Sequence, residues 1–170
     1  MDFVYRKAES SDSPRIAELF EEMLRTIYHT NYVKGYEYGY LNRFFSEGGD
    51  LIYVAELEKE VVAFLSIEVY KEDGYIYLDD FSVTAECRNK GIGTKLISLA
   101  EDYSESIGIP AIVLHVEKTN EGAYQLYRKL GYRDHEDQGN RILMVKELRK
   151  QGNMKPGKRT PERWTDSIQV

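Results

Sequence analysis

The sequence predicts a single α/β domain built on a mixed sheet, and three observations predict it. Segments with strand-like and helix-like periodicity follow one another over the first 148 of 170 residues, in the order β-α-α-β-β-β-α-β-α-β-β. Three of the strand-like segments, 50–58, 60–70 and 75–83, come in succession with short turns between them, the pattern of an antiparallel meander. The stretch 81–96 then passes from a strand pattern, through a basic and glycine-broken turn, straight into a helix pattern.

Composition sets the outer limits. A chain of this length with 42% hydrophobic residues can bury one sizeable core. Its single cysteine, Cys87, leaves no intramolecular disulfide and no cysteine-cluster metal site, so no metal is expected and a reducing compartment fits. The longest apolar run, 61–65, is far short of the roughly 20 residues a bilayer requires, so a cytoplasmic protein with no membrane span is expected. The formal charge of −6 is uneven: residues 149–170 form a basic tail of +4, leaving −10 on the body, residues 1–148. An acidic body disfavours nucleic acid and favours cationic ligands, although a solvated surface alone produces the same balance.

The elements follow in order. Residues 2–8 read as an opening strand. A helix is expected after a Ser13 cap, with Pro14 at the first helical position and Ile16, Leu19, Phe20, Met23, Leu24 and Ile27 on one face. Five of the fourteen tyrosines, Tyr28, Tyr32, Tyr36, Tyr38 and Tyr40, follow with His29 among them. Such residues suit the wall of a pocket for an amine, or equally a core or subunit contact. After the meander comes the helix bearing Ile92, Leu96, Leu99, Ala100, Tyr103 and Ile107, closed near Gly108 and Pro110. A strand at 111–116, a helix from about Asn120 to Leu130 ended by Gly131, and a hairpin pairing 132–135 with 141–147 complete the domain. Past Leu148 the tail, with Gly152, Pro156, Gly157 and Pro161, lacks regular patterning, and Trp164 is expected to anchor it on this subunit or a partner.

The stretch 81–96 has the grammar of an anion site. N–H groups of a turn and of the first helical residues lack partners, and the helix dipole adds positive charge there. Arg88 and Lys90 add full charges, while Gly91 and Gly93 let a ligand approach the backbone. Pure turn chemistry would use the same glycines. The spacing fails the Walker loop, and it fails the dinucleotide fingerprint because Leu96 stands at the third glycine position. What matches is Arg-x-x-Gly-x-Gly, as Arg88, Asn89, Lys90, Gly91, Ile92 and Gly93. Further on, after the strand at 112–116, come Asn120, Ala123, Leu126, Tyr127, Gly131 and Tyr132.

Both halves, in order, resemble the signature of the GNAT superfamily of acetyl-CoA-dependent N-acetyltransferases, over roughly residues 3–147. The resemblance implies two adjacent parallel strands splayed apart to admit the pantetheine arm of CoA. The backbone of Phe81, Ser82 and Val83 would pair with it, Arg88, Asn89, Lys90, Gly91, Ile92, Gly93 and Thr94 would hold the pyrophosphate, and Asn120, Tyr124 and Tyr127 would complete the cofactor site. Tyr127 is the implied general acid toward the thiolate, its alternative being a core aromatic at helical spacing; Asn120 would equally serve as a helix cap. The base is open among Asp80, Asp79 and Glu68, with Glu117 and His115 as further candidates. Strand alternation puts Asp79 and Asp80 on opposite faces, so only one of them should see the cleft. Leu78-Asp79-Asp80-Phe81 resembles the polyamine-acetylating branch. Tyr28, Tyr32 and Tyr36 are the candidate acceptor wall.

The implied activity is acetyl transfer to a primary amine by direct attack in a ternary complex, the acceptor being a small molecule such as a polyamine, or a peptide. A homodimer, through the C-terminal hairpin and tail, is left open. The alternative is a non-catalytic acyl-CoA-binding protein on the same fold.

Overall fold

The computed structural model describes residues 1–148. Seven strands form one sheet in the order β1-β2-β3-β4-β5-β7-β6: β1 (Val4–Lys7), β2 (Leu51–Leu57), β3 (Glu60–Tyr70), β4 (Tyr75–Val83), β5 (Ala111–Glu117), β6 (Arg133–Asp137) and β7 (Arg141–Glu147). Every neighbouring pair is antiparallel except β4 and β5, which run parallel. The helices are α1 (Ser13–Tyr28), α2 (Ile92–Ser106) and α3 (Glu121–Lys129). The basic tail, residues 149–170, and the expected anchoring by Trp164 lie outside the described residues.

Two apolar layers sandwich the sheet. Ile16 and Leu19 of α1 pack with Ile52, Val54, Val61 and Phe64. Ile92, Leu96, Ile97 and Ala100 of α2 pack with Leu65, Ile67, Ile76, Leu78, Ile112 and Leu114, a cluster that also takes in Tyr127 of α3. Each fully buried Ile or Leu contributes about 1.5–3 kcal/mol relative to exposure, so the two helices are held by their stripes rather than by intrinsic propensity. Arg6 on β1 donates to Asp12 at 2.8 Å and to Glu56 at 2.8 Å, tying the start of α1 to the sheet edge.

Two expectations change in detail, and a third holds. The first helix is preceded by a 3-10 turn, Ser10–Asp12, in which Glu9 and Asp12 form a reciprocal capping box; the α-helix starts at Ser13 with Asp12 as its flanking residue. The second helix of the expected order is a 3-10 segment, Tyr40–Phe45, held because Leu41 and Phe44, three apart, both face the core. The last hairpin forms, and β7 inserts between β5 and β6, since Val113 and Leu114 pair with Val145 and Met144.

The feature that places the site is the end of the β4–β5 pairing. It covers Tyr75–Leu78 against Ala111–Leu114 and stops, while β4 runs on to Val83 and β5 to Glu117. Past Leu78 the two parallel strands part.

Candidate active site

The parting opens a cleft of about 790 Å³ at the C-terminal ends of β4 and β5. Its walls come from the last turns of α1 (Met23, Thr26, Ile27), from 79–83 of β4, from the loop into α2, from the end of β5, and from α3. On one side 81–83 remains paired with β3, as Phe81 with Leu65 and Val83 with Ala63. Among the described residues no strand pairs with the opposite edge of this stretch, so its backbone groups, apart from the Val83 carbonyl that Arg88 meets at 3.2 Å, can receive an extended ligand.

The loop 88–93 is shaped by two left-handed residues, Asn89 at φ 59° and Gly91 at φ 79°, the latter flanking the start of α2. Left-handed residues interspersed with ordinary ones turn successive N–H groups into an anion-binding concavity, here at the positive end of a 15-residue helix. Gly93 has a different reason to be glycine: a Cβ there would lie 2.8 Å from Cζ of Phe81. Arg88 folds back so that its Nε donates to the Val83 carbonyl at 3.2 Å. Arg88, Asn89, Gly91, Ile92, Gly93 and Thr94 border the cleft together with Phe81, Ser82 and Val83, whereas the Lys90 side chain is exposed and does not.

Asn120 caps α3, its side chain accepting from the Ala123 amide at 3.2 Å, and it also borders the cleft. Tyr127, two turns on, is 9% exposed and lines the cleft. Burial pushes its phenol up to about 12, with no charged neighbour contributing. Tyr124 is not on the cleft wall; its hydroxyl donates to the Asp134 carboxylate at 3.0 Å.

The carboxylates correct one sequence expectation. Asp79 and Asp80 do not separate to opposite faces: Leu65 pairs with Phe81 but Ile67 with Leu78, so both aspartates stand opposite Ser66 in a β-bulge. The extra residue cancels the alternation, and both side chains line the cleft. The Asp80 carboxylate accepts from the Tyr36 hydroxyl at 2.6 Å and Asp79 from the Tyr40 hydroxyl at 3.4 Å. Desolvation, then the charges of Asp80 and Glu68, push Asp79 far above the usual carboxylate range, to about 8. Asp80 is also raised by desolvation, with the Tyr36 bond opposing the rise. Glu68 is 8% exposed beneath this pair and is held by the Tyr70 hydroxyl at 2.6 Å and Arg43 at 3.4 Å; it acts on Asp79 without itself reaching the cleft wall.

His115 borders the cleft, but both ring nitrogens are engaged, Nδ1 with the Tyr77 hydroxyl at 2.7 Å and Nε2 with Gln138 Oε1 at 2.8 Å. An amide oxygen only accepts, so Nε2 carries the proton and Nδ1 accepts from Tyr77. Desolvation, with Arg141 adding to it, lowers this ring to about 4. Of the three tyrosines expected to wall the acceptor, Tyr36 reaches the carboxylates. Tyr28 and Tyr32 are 66% and 95% exposed and do not. Ser66, which holds the bulge, and Met23, Thr26 and Ile27 on the wall carried no signal in the sequence beyond core periodicity.

Comparison with known proteins agrees with this arrangement. The family described as Acetyltransferase (GNAT) matches residues 16–132. The chain is 33% identical over 151 residues to an uncharacterized N-acetyltransferase of Methanocaldococcus jannaschii, covering 84% of this chain and 90% of that protein. It is 31% identical over 134 residues to the N-acetyltransferase YhfO of Bacillus subtilis, covering 76% and 89%. Among solved structures, the PaiA N-acetyltransferase of Thermoplasma acidophilum in complex with coenzyme A superposes with a TM-score of 0.71 at 20% identity, over 86% of this chain and 99% of that one. The ribosomal-protein-S18-alanine N-acetyltransferase of Escherichia coli gives 0.70 at 18%, over 89% and 97%. A family match across most of the described residues, with the parted strands and glycine loop where that match lies, means that the chain belongs to the GNAT acetyltransferase family.

Proposed function

We propose that this protein transfers acetyl from acetyl-CoA to the primary amine of a small molecule or peptide, both being bound when the amine attacks. The observation that carries this reading is that one cleft, opened by the parting of β4 and β5, brings together an anion-binding loop, an unpaired strand edge, a buried tyrosine and a carboxylate with a raised pKa. The residues fit acetyl-CoA: the concavity at 88–94 suits a pyrophosphate, and the free edge of 81–83 accepts an extended pantetheine as an added strand. When bound, acetyl-CoA supplies an activated thioester.

The chain's own residues supply the proton handling. An amine with a pKa near 10.4 is roughly 99.9% protonated at pH 7, so a base must take its proton. Asp79, raised to about 8, is a far stronger base than an ordinary carboxylate once ionised. Tyr127, on the cleft wall, would meet the departing sulfur. Giving its proton from about 12 to a thiolate of about 8.5 would be uphill by roughly 5 kcal/mol, so Tyr127 acts as a hydrogen-bond donor to the sulfur rather than by full transfer. The negative charge of Asp80 and Glu68, with Arg43 as the neighbouring cation of Glu68, favours a cationic acceptor.

A panel of amines assayed for CoA thiol release tests the reading. Turnover with a cationic amine is expected. Thermal stabilisation by acetyl-CoA without turnover on any amine would instead favour a non-catalytic acyl-CoA-binding protein, and no stabilisation would remove the cofactor assignment.

A further inference from the structure

We propose that Tyr36 is a positioning residue that makes the two aspartates unequal: its hydroxyl fixes Asp80 as the standing anion of the site, leaving Asp79 to exchange the amine proton. The proposal deepens the acetyltransferase reading and rests on it for the last step only. Two carboxylates side by side in a desolvated bulge would by themselves share one proton with no preference. The donors around them break that symmetry. Tyr36 donates to Asp80 at 2.6 Å, the length of a charge-assisted O–H···O⁻ bond, whereas the Tyr40 contact to Asp79, at 3.4 Å, is at the limit of hydrogen bonding.

Tyr36 can hold this position because its ring is clamped. It stacks on Phe20 of α1 at 3.9 Å between centroids and on Tyr40 at 5.0 Å, and Tyr40 in turn meets Phe44 edge-on. The segment between α1 and the 3-10 turn at Tyr40–Phe45 is thereby tied to β4 through a single hydroxyl. Asp80 is also fixed from β3, where Ser66 accepts from its amide at 2.9 Å. The other titratable groups facing the pair are Glu68 of β3, Tyr77 of β4 and Tyr40 of the 3-10 turn, while Tyr70 and Arg43 engage Glu68. Glu68 opposes ionisation of both aspartates through its charge and also shares a hydrogen bond with Asp79, so it works in the same direction as Tyr36, holding the proton on Asp79.

The test is Tyr36→Phe, which keeps the stacked ring and removes the hydroxyl. Carboxyl carbons of Asp79 and Asp80, assigned by Asp79→Asn and Asp80→Asn, are titrated by NMR in the free protein. The expected result is an upward move of Asp80 and a narrower gap between the two titrations. In steady-state assays the variant should lose roughly 10-fold in amine kcat/KM, with its pH profile displaced and the KM for acetyl-CoA unchanged. Unmoved carboxyl titrations would overturn the proposal. So would a fall in melting temperature with an undisplaced pH profile, which would make the bond merely structural. The titration is read without turnover, so a failure of the acetyltransferase reading and a failure of this one are separable.

Discussion

The hydroxyl oxygen of Ser66 accepts the Asp80 amide at 2.9 Å, across the point where β4 carries one residue more than β3. Ser66 is 1% exposed, so nothing but the bulge itself satisfies that hydroxyl, which also meets the Asp80 carbonyl at 3.4 Å. Ser66→Ala should leave the Asp80 amide unsatisfied and cost about 1–3 kcal/mol of stability. Activity should fall more than the loss of folded protein explains, because the two aspartates lose their common orientation. Denaturant melts run beside kcat measurements check this, and Ser66→Thr, which keeps the hydroxyl, should recover part of both.

Asp79 links activity and stability through pH with opposite signs. Its folded pKa is raised from the ordinary carboxylate value to about 8, so its contribution to stability is fully present below about pH 4 and is lost as pH rises toward 8. The same ionisation generates the base. Wild-type kcat/KM should therefore climb with pH toward a plateau above about 8 while the melting temperature declines. Asp79→Asn should melt higher than wild type at pH 8–9, match it near pH 4, and lose most of its turnover, as read by scanning calorimetry and CoA release on the same samples.

Tyr127→Phe should lower kcat by about 10²-fold or more, in line with the loss of a positioned hydrogen-bond donor to developing negative charge. The ring, packed edge-on against Tyr132 at 5.9 Å between centroids, stays in place, so the dissociation constant for CoA should change little. Because the phenol sits at about 12, no limb of the pH profile between 6 and 10 should disappear with it. A limb that did vanish would mean that the phenol titrates within the working range.

Gly93 and Phe81 form a pair that a mutant cycle can resolve. Gly93→Ala places a methyl 2.8 Å from the Phe81 ring and should cost about 1–3 kcal/mol despite the better helix propensity of alanine. Phe81→Leu removes the offending ring atom, so the double variant should be more stable than Gly93→Ala. Gly91→Ala meets nothing within 4 Å and should lose about 1–2 kcal/mol through its left-handed φ of 79° alone. Chemical denaturation gives all four values, and acetyl-CoA titration should show weakened binding in both alanine variants.

Much of this was legible from residues in sequence order. The strands at 60–70 and 75–83 begin and end where periodicity put them, and the helix after the glycine loop starts at Ile92. These are local properties: a two-residue period, an i, i+3, i+4 stripe, and turn residues that tolerate positive φ. The 3-10 segment at Tyr40–Phe45 was less legible, because six residues carry too few periods to separate one helix type from another.

Ser66, Asp79, Asp80 and Tyr36 mark where local reading ended. Alternation along one strand put the aspartates on opposite faces, yet a bulge belongs to a pair of strands and exists only once Ser66 has met them from 14 residues away. Five tyrosines between 28 and 40 looked equivalent. Packing of the intervening segment on Phe20 and Tyr40 turned Tyr36 to Asp80 and left Tyr32 in solvent. The sequence by itself determined the alternation of elements, the anion-binding loop and the tyrosine helix, since each is encoded by neighbours along the chain. Tertiary structure decided which carboxylates share the cleft and which tyrosine touches them, because desolvation, register and ring stacking are properties of groups that meet only after the chain has folded.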